Sequence, residues 1–269
     1  MSAKKQVVVC GGFDDIRSRD LRFLEEAAKL GELTVLLWTD SALEKRTGKA
    51  PKFPLAERMY FLNAVRSVGS VIESSACDTL PAFLHADVWA DVDASANLKR
   101  EVFASDNGIA YRVFAADELR GFPEPPPMSP VSGRKKVAVT GCYDWFHSGH
   151  VRFFEEVSAY GDLYVFLGND EGIRELKGNG HPLLPQEERR YVVGSIRFVT
   201  QAAISSGKGW LDFDCEIRAL KADMLVVNED GDKGGKREYC RELGIEYFVL
   251  KRTPAPGLAS RSSTDLRGF

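Results

Sequence analysis

Two histidines three positions apart are the residues of this 269-residue chain best placed to do chemistry: His147 and His150 in the segment GCYDWFHSGH, Gly141–His150. The chain has four histidines, and this pair directly follows a short apolar run. A helix beginning at Ser148 or Gly149 would set both imidazoles beside its N-terminus. Free backbone N–H groups and the positive end of the helix dipole meet there, which makes an anion site. Gly149 lets a phosphate approach the backbone, and Ser148 is a candidate cap. The same spacing also suits metal ligands or a plain polar helix start. Lys177 in a Lys-Gly loop, Arg189 in QEERR, and Ser262, Ser263 and Thr264 ahead of Asp-Leu are further candidates. Asp170 follows an apolar run and reads equally as a helix cap or a substrate contact. Asp230 sits in a Gly-rich loop, where turn formation is the default.

The elements that must position these residues alternate strand and helix signals. Lys136–Thr140 reads as a buried strand ended by Gly141, and Val151, Phe153, Phe154 and Val157 then recur at helical spacing. Leu163–Leu167 is the next strand and Gln186–Phe198 the next amphipathic helix. A strand at Met224–Val227, a helix at Lys233–Leu243 and a strand at Tyr247–Leu250 complete the series. This alternation predicts an α/β fold, a parallel sheet covered by helices on both faces. Ligands in such sheets bind outside the carboxyl ends of the strands.

The whole pattern occurs twice. KKQVVVCGGFDDIRSRDLRFLEEAAKLGELTVLL from Lys4 lies over RKKVAVTGCYDWFHSGHVRFFEEVSAYGDLYVFL from Arg134 at an offset of 130. Gly11 falls on Gly141, Asp14 on Asp144, Ser18 on Ser148 and Gly31 on Gly161. Further on, Glu57-Arg58 matches Glu188-Arg189, and ELRGF ending at Phe122 mirrors DLRGF ending at Phe269. PEPPPMSPVSG between the copies reads as a linker. The reading is two domains of one Rossmann-like fold, 1–122 and 134–269, joined through 123–133. Under His147 and His150 the first copy places Arg17 and Asp20, and an acid at that helix end repels phosphate. Under RSST it places FAAD, Phe114–Asp117. The first copy is therefore expected to be non-catalytic.

Composition sets the outer limits. Apolar residues make up 44% and charged residues 28%, and the net charge is -3. That balance excludes wholesale disorder and argues against a nucleic-acid partner. No apolar run approaches the ~20 residues of a membrane helix. The opening run is too short for a signal-peptide core. Five cysteines without a CxxC pair read as reduced thiols, and the expected location is the cytoplasm.

GCYDWFHSGH resembles the GxFDxxHxGH signature of the HxGH nucleotidyltransferase superfamily, in particular its cytidylyltransferase-like branch. That branch includes glycerol-3-phosphate and ethanolamine-phosphate cytidylyltransferases and the heptose-phosphate nucleotidyltransferases. ELKGNGHPLLPQEERR is similar to the family's stretch with a phosphate-contacting lysine, here Lys177, and a helical arginine, here Arg189. RSSTDL, Arg261–Leu266, is similar to the segment that opens the last helix and holds the terminal phosphates. Tyr143 stands where the signature has Phe, and VVNEDGDKGGK, Val226–Lys236, matches no substrate segment of these enzymes.

The resemblance implies transfer of a nucleotidyl group from CTP to a small phosphorylated alcohol or sugar, with release of pyrophosphate. ATP is the alternative donor. His147, His150 and Lys177 would be catalytic. Gly141, Cys142, Tyr143, Asp144, Gly149, Arg189, Ser262, Ser263 and Thr264 would line the nucleotide, and Asp170 and Asp230 the substrate side. Mg²⁺ would enter on the phosphates. The resemblance also implies an internal pseudo-dimer of the two copies, with a further homodimer open. Two other classes stay in view: a nucleotide-binding regulator without turnover, and an acyl-adenylate ligase.

Overall fold

Each half of the chain builds its own five-stranded parallel sheet, helix alternating with strand. The computed structural model describes residues 4–92, 98–123, 133–263 and 266. Contacts divide the chain into Met1–Gly121 and Phe122–Phe269. The first unit runs β1 (Gln6–Gly11), α1 (Ser18–Ala28), β2 (Glu32–Trp38), α2 (Asp40–Thr47), α3 (Leu55–Ala64), β3 (Ser70–Ser74), β4 (Val88–Asp91), α4 (Leu98–Asp106) and β5 (Ala110–Val113). The second runs β6 (Lys136–Gly141), α5 (Ser148–Ser158), β7 (Asp162–Leu167), α6 (Asp170–Lys177), α7 (Gln186–Gly194), β8 (Val199–Ile204), α8 (Asp214–Leu220), β9 (Met224–Asn228), α9 (Lys236–Leu243) and β10 (Glu246–Leu250).

The strand orders are the same, β3-β2-β1-β4-β5 and β8-β7-β6-β9-β10. The register repeats too: Gln6 pairs with Glu32 in one sheet and Lys136 with Asp162 in the other. Val137, Ala138 and Val139 of β6 are fully buried, as a central strand covered on both faces should be. Ala138, Tyr164, Phe166 and Leu225 pack against Phe213, Ile217 and Tyr239 on one of those faces.

The β6–β9 ladder is the feature that makes a site. It is confined to two pairs, Val137 with Met224 and Ala138 with Leu225, whereas β6 and β7 stay paired from Lys136 to Gly141. Beyond Ala138 the two strands part at their carboxyl ends, where the strand order switches direction. A crevice opens at that point in such sheets.

Two predicted helices are shorter than the apolar spacing suggests. The helix predicted over Gln186–Phe198 ends at Gly194, and the Ser195 hydroxyl donates back to the Tyr191 carbonyl at 2.8 Å. The one predicted from Lys233 starts at Lys236, because Gly234 takes a left-handed φ of +73° that no helix interior accepts. The sequence reading also left β8 and α8 unassigned. β8 is only partly buried and mixes polar with apolar residues, so its strand pattern is weak.

A buried arginine ties the carboxyl ends of the strands together in each unit. Arg189 is fully buried. It donates to the carbonyls of Leu184 (3.0 Å), Cys142 (2.7 Å) and Gly168 (2.9 Å), and to Asp170 Oδ1 (2.7 Å). Arg58 repeats this set with Phe53, Gly12, Trp38 and Asp40. Replacing Arg189 by Met would strand three carbonyls, that of Gly168 fully buried, and a carboxylate. The unfolding free energy should fall by about 3 kcal/mol. Urea denaturation of the full chain measures it, and an unchanged midpoint would show that the clamp is not structural.

Candidate active site

The loop that carries the signature is shaped by its own aromatic. Tyr143 takes a left-handed φ of +53°, and Phe13 does the same in the first unit at +45°. Each ring folds back over a glycine: a methyl group on Gly141 would come within 2.8 Å of the Tyr143 ring, and one on Gly11 within 2.9 Å of Phe13. Only glycine fits beneath. The Tyr for Phe departure from the signature thus leaves the packing unchanged.

Asp144 fixes the other end of the loop. Its Oδ1 accepts the backbone N–H groups of Leu183 (2.6 Å) and Leu184 (3.0 Å). Oδ2 is buried without a hydrogen-bond partner, and His181 Nδ1 lies 3.6 Å away. In the first unit Asp14 uses both oxygens on the matching loop, at Lys52 (2.7 Å) and Phe53 (2.9 Å).

α5 begins where the sequence places it, but His147 rather than Ser148 is the cap. Its Nδ1 accepts the Gly149 N–H at 3.1 Å. That bond leaves Nε2 to carry the proton of a neutral ring. A methyl group on Gly149 would come within 2.9 Å of the same ring, so glycine is required here as well. The His147 and His150 rings stand 4.0 Å apart, centroid to centroid, and His150 is boxed by Tyr143 and Phe146, each at 5.3 Å. His147 Nε2 and His150 Nδ1 are buried with no hydrogen-bond partner. Native proteins seldom leave such atoms unpaired without a role.

Burial lowers the His147 pKa to about 4, with the charges of Arg252 and Arg261 adding to it. His150 is pushed well below its ordinary value by burial, then by His147, Arg252 and Lys177. Both rings are neutral at pH 7, ready to be drawn toward the charged state by an incoming anion.

A cleft of about 200 Å³ opens between the parted strands. Thr140, Gly141, Cys142, Tyr143, Asp144 and His150 form one wall. Val227, Asn228, Asp230, Gly231 and Lys236 face it from β9 onward, with Lys177 and Ser263 also lining it. Ser263 is held in place by donating to the Trp145 carbonyl at 3.1 Å. Arg252 pairs with Asp230 at 3.2 Å and donates to the Arg261 carbonyl at 2.7 Å. This volume is below the roughly 300–1,000 Å³ of whole-ligand pockets, and it suits a chain of phosphates more than an entire nucleotide.

The structure therefore brings Gly141, Cys142, Tyr143, Asp144, His150, Lys177, Asp230 and Ser263 to one cleft, with His147 and Gly149 immediately behind His150. Arg189 and Asp170 are not in its wall. Arg189 is the buried clamp, and Asp170 is its ion-pair partner, while Asn169 caps α6 through the Gly172 N–H at 2.8 Å. Burial pushes the Cys142 thiol up, so it stays protonated. The Ser262 carbonyl accepts the Leu266 N–H at 3.2 Å. Thr264 lies outside the described residues. Lys236 and Asn228 escaped the sequence reading. Their signal was positional: Asn228 ends the strand that faces β6, and Lys236 opens the helix after it.

The first unit has the same helix end with different chemistry. The Asp20 carboxylate accepts the Arg17 N–H at 2.8 Å, and Asp15 takes Arg17 and Lys52, both at 2.8 Å. The charges there are matched within the unit.

The family profile described as "Cytidylyltransferase-like" matches residues 138–268. An FAD synthase of Ferroglobus placidus is 34% identical over 119 residues, 44% of this chain and 75% of that protein. The chain belongs to the cytidylyltransferase-like family. The bifunctional protein HldE of Campylobacter fetus subsp. fetus is 29% identical over 164 residues, 60% of this chain and 32% of HldE. HldE of Geobacter sulfurreducens is 40% identical over 99 residues, 36% and 20% of the two chains. The chain spans a third or less of these HldE relatives. Among the described residues no helix of this family member is long and apolar enough to cross a membrane.

The neutral histidines make stability pH-dependent with a definite sign. The His147 pKa is about 4 in the fold and ~6.5 in the unfolded chain, so the unfolded chain binds protons more readily in between. Stability is fully present above about pH 6.5 and is lost as pH falls toward 4. The loss is up to about 3 kcal/mol from His147 alone. Urea midpoints of the wild type should drop across this window, and the double change His147→Asn, His150→Asn should flatten the drop. Equal slopes for both would remove the pair as its cause.

Proposed function

We propose that the second unit transfers a nucleotidyl group from a nucleoside triphosphate to a phosphomonoester, a small phosphorylated alcohol or sugar. The observation that carries this reading is the pair of buried, unpartnered imidazole nitrogens at a helix N-terminus, beside a cleft lined by two lysines. A phosphomonoester is largely dianionic at pH 7, with a second pKa of ~6, and needs no general base. Its oxygen attacks the α-phosphorus, the bond to the β-phosphate oxygen breaks, and pyrophosphate leaves with that electron pair. Catalysis is then alignment and positive charge around the five-coordinate phosphorus.

His147, through Nε2–H, and His150 bind the α- and β-phosphates. Lys177 bridges the acceptor phosphate and the reacting phosphorus. Ser263, with Arg252 and Arg261 nearby, holds the β- and γ-phosphates, without Arg189, which the sequence had placed along the nucleotide with it. Among the described residues no group of three or more His, Cys, Asp or Glu is arranged to hold a metal. Mg²⁺ would be held by the triphosphate itself and would neutralise charge on the leaving group. The first unit, with its helix end already matched by Asp20, is non-catalytic in this reading.

The resemblance and the family profile point to CTP as donor. One observation favours ATP instead: FAD contains an adenylyl group, and the relative of which this chain covers 75% is an FAD synthase.

The test is pyrophosphate release by the full chain with CTP or ATP against a panel of phosphomonoesters. Release should require an acceptor. His147→Ala and His150→Ala should each lower kcat by about 10² or more. Near-normal turnover in either variant would take that histidine out of the mechanism. Absence of release with any pair, despite tight nucleotide binding, would favour a regulator.

A further inference from the structure

The two units differ where their central strands part. β1 and β4 pair through Val7 with Val88 and Val8 with Trp89, and then separate as β6 and β9 do. The helix that follows is set alike in both. The Ile109 N–H returns to the Ala104 carbonyl at 2.8 Å, and the Ile245 N–H to the Cys240 carbonyl at 2.9 Å. Arg100 stands one turn before the buried Ala104, and Lys236 one turn before the buried Cys240. By the same register Asp91 corresponds to Val227 and Trp38 to Gly168.

In the first unit the parted ends are filled from within. Arg100 is buried and donates through Nη1 to Asp91 Oδ2 at 2.6 Å, and the Tyr111 hydroxyl donates to the same oxygen at 3.1 Å. The guanidinium also donates to the Cys77 carbonyl at 3.0 Å and to Asp78 at 3.3 Å. It stands 5.6 Å from the Trp38 ring and 5.7 Å from the Trp89 ring. In the second unit the cation is kept and its anion is gone. Val227 and Lys236 both line the cleft. The half-buried Lys236 ammonium donates to the Gly231 carbonyl at 2.9 Å and makes no ion pair among the described residues. Burial lowers its pKa, opposed by Asp212 and Asp232. An ammonium in that setting is stabilised by an arriving anion.

We propose that the Asp91 carboxylate marks in the first unit the place that a ligand phosphate takes in the second, and that Lys236 is the residue that binds it. A phosphate, like a carboxylate, offers charged oxygens to a cation at hydrogen-bond distance. Val227 in place of Asp91 removes the internal competitor and leaves the wall apolar at that point, so the anion for Lys236 comes from outside. The proposal rests on the transfer reading above, in which the cleft receives phosphates. Two sources share this chemistry, the phosphates of the nucleotide and the phosphate of the acceptor. The first unit is then the closed form of the same cleft, held shut by its own carboxylate.

Calorimetric titration of the full chain with Mg²⁺-CTP, Mg²⁺-ATP, pyrophosphate and glycerol 3-phosphate tests the proposal. Lys236→Met should weaken at least one of them by about 10-fold, the loss expected for one charge-assisted contact, and Lys236→Arg should keep most of the affinity. Lys233→Met removes an exposed lysine of the same loop and should leave every affinity in place. Losses on nucleotide and pyrophosphate assign the nucleotide's phosphates, and a loss on glycerol 3-phosphate assigns the acceptor's. Val227→Asp gives Lys236 the carboxylate that Arg100 has, and should cost the same ligand about 10-fold. Val227→Asn should cost much less, and Lys236→Met should add nothing to Val227→Asp. Affinities that ignore Lys236, an equal loss in Lys233→Met, or independent losses from Val227→Asp and Lys236→Met would overturn the proposal and leave the transfer reading intact. If neither nucleotide binds while a Lys236-dependent affinity for pyrophosphate or glycerol 3-phosphate persists, the transfer reading fails and the phosphate contact stands. Absence of binding by all four probes overturns both.

Discussion

A buried guanidinium in each half of the chain holds the strand ends on which everything else is mounted. Arg189 joins three carbonyls from separate segments: Cys142 in the signature loop, Gly168 after β7 and Leu184 ahead of α7. Asp170 neutralises it at 2.7 Å. A fully buried charge is tolerable only with such complete pairing, and loss of one partner would leave the others stranded. The same clamp on Arg58 gives the first unit the same loop, down to the left-handed Phe13. The scaffold of the site therefore does not depend on its chemistry.

What differs between the halves is the set of side chains presented at that common helix end. In the first unit Asp20 closes the end of α1 with its own carboxylate, and Asp15 neutralises Arg17 and Lys52. In the second, the imidazoles are neutral, one nitrogen of each is buried without a partner, and the surrounding charges are mostly positive. One end is satisfied from within and the other is built to be completed by an anion. The contrast follows from residue types on identical backbones, so it concerns ligand chemistry and not folding.

Much of this was legible in the sequence. The repeat, the parallel sheets and the start of α5 followed from apolar spacing and from Gly141 closing a strand. The histidine pair stood out because a helix N-terminus after a strand is a recurrent anion site. Arg189 was misplaced because a sequence does not distinguish a solvated arginine from a buried one. Its environment depends on carbonyls brought from three segments. Asp170 was read as a cap or contact, yet the neighbouring Asn169 takes the cap, a one-residue choice settled by tertiary contacts. Lys236 went unnoticed because a lysine at the start of a polar helix carries no local signal. Only the parting of β6 and β9 opens the cleft that it lines.

The central claim is that the unpartnered nitrogens of His147 and His150 are completed by a triphosphate. With four histidines in the chain, nitrogen-15 NMR of the imidazoles observes this directly. On addition of Mg²⁺ with CTP or ATP near pH 7, the ring nitrogens of His147 and His150 should shift together. His85, on the first unit, should stay in place. Nucleotide binding that leaves both site histidines unmoved, or that moves His85 instead, would contradict the account.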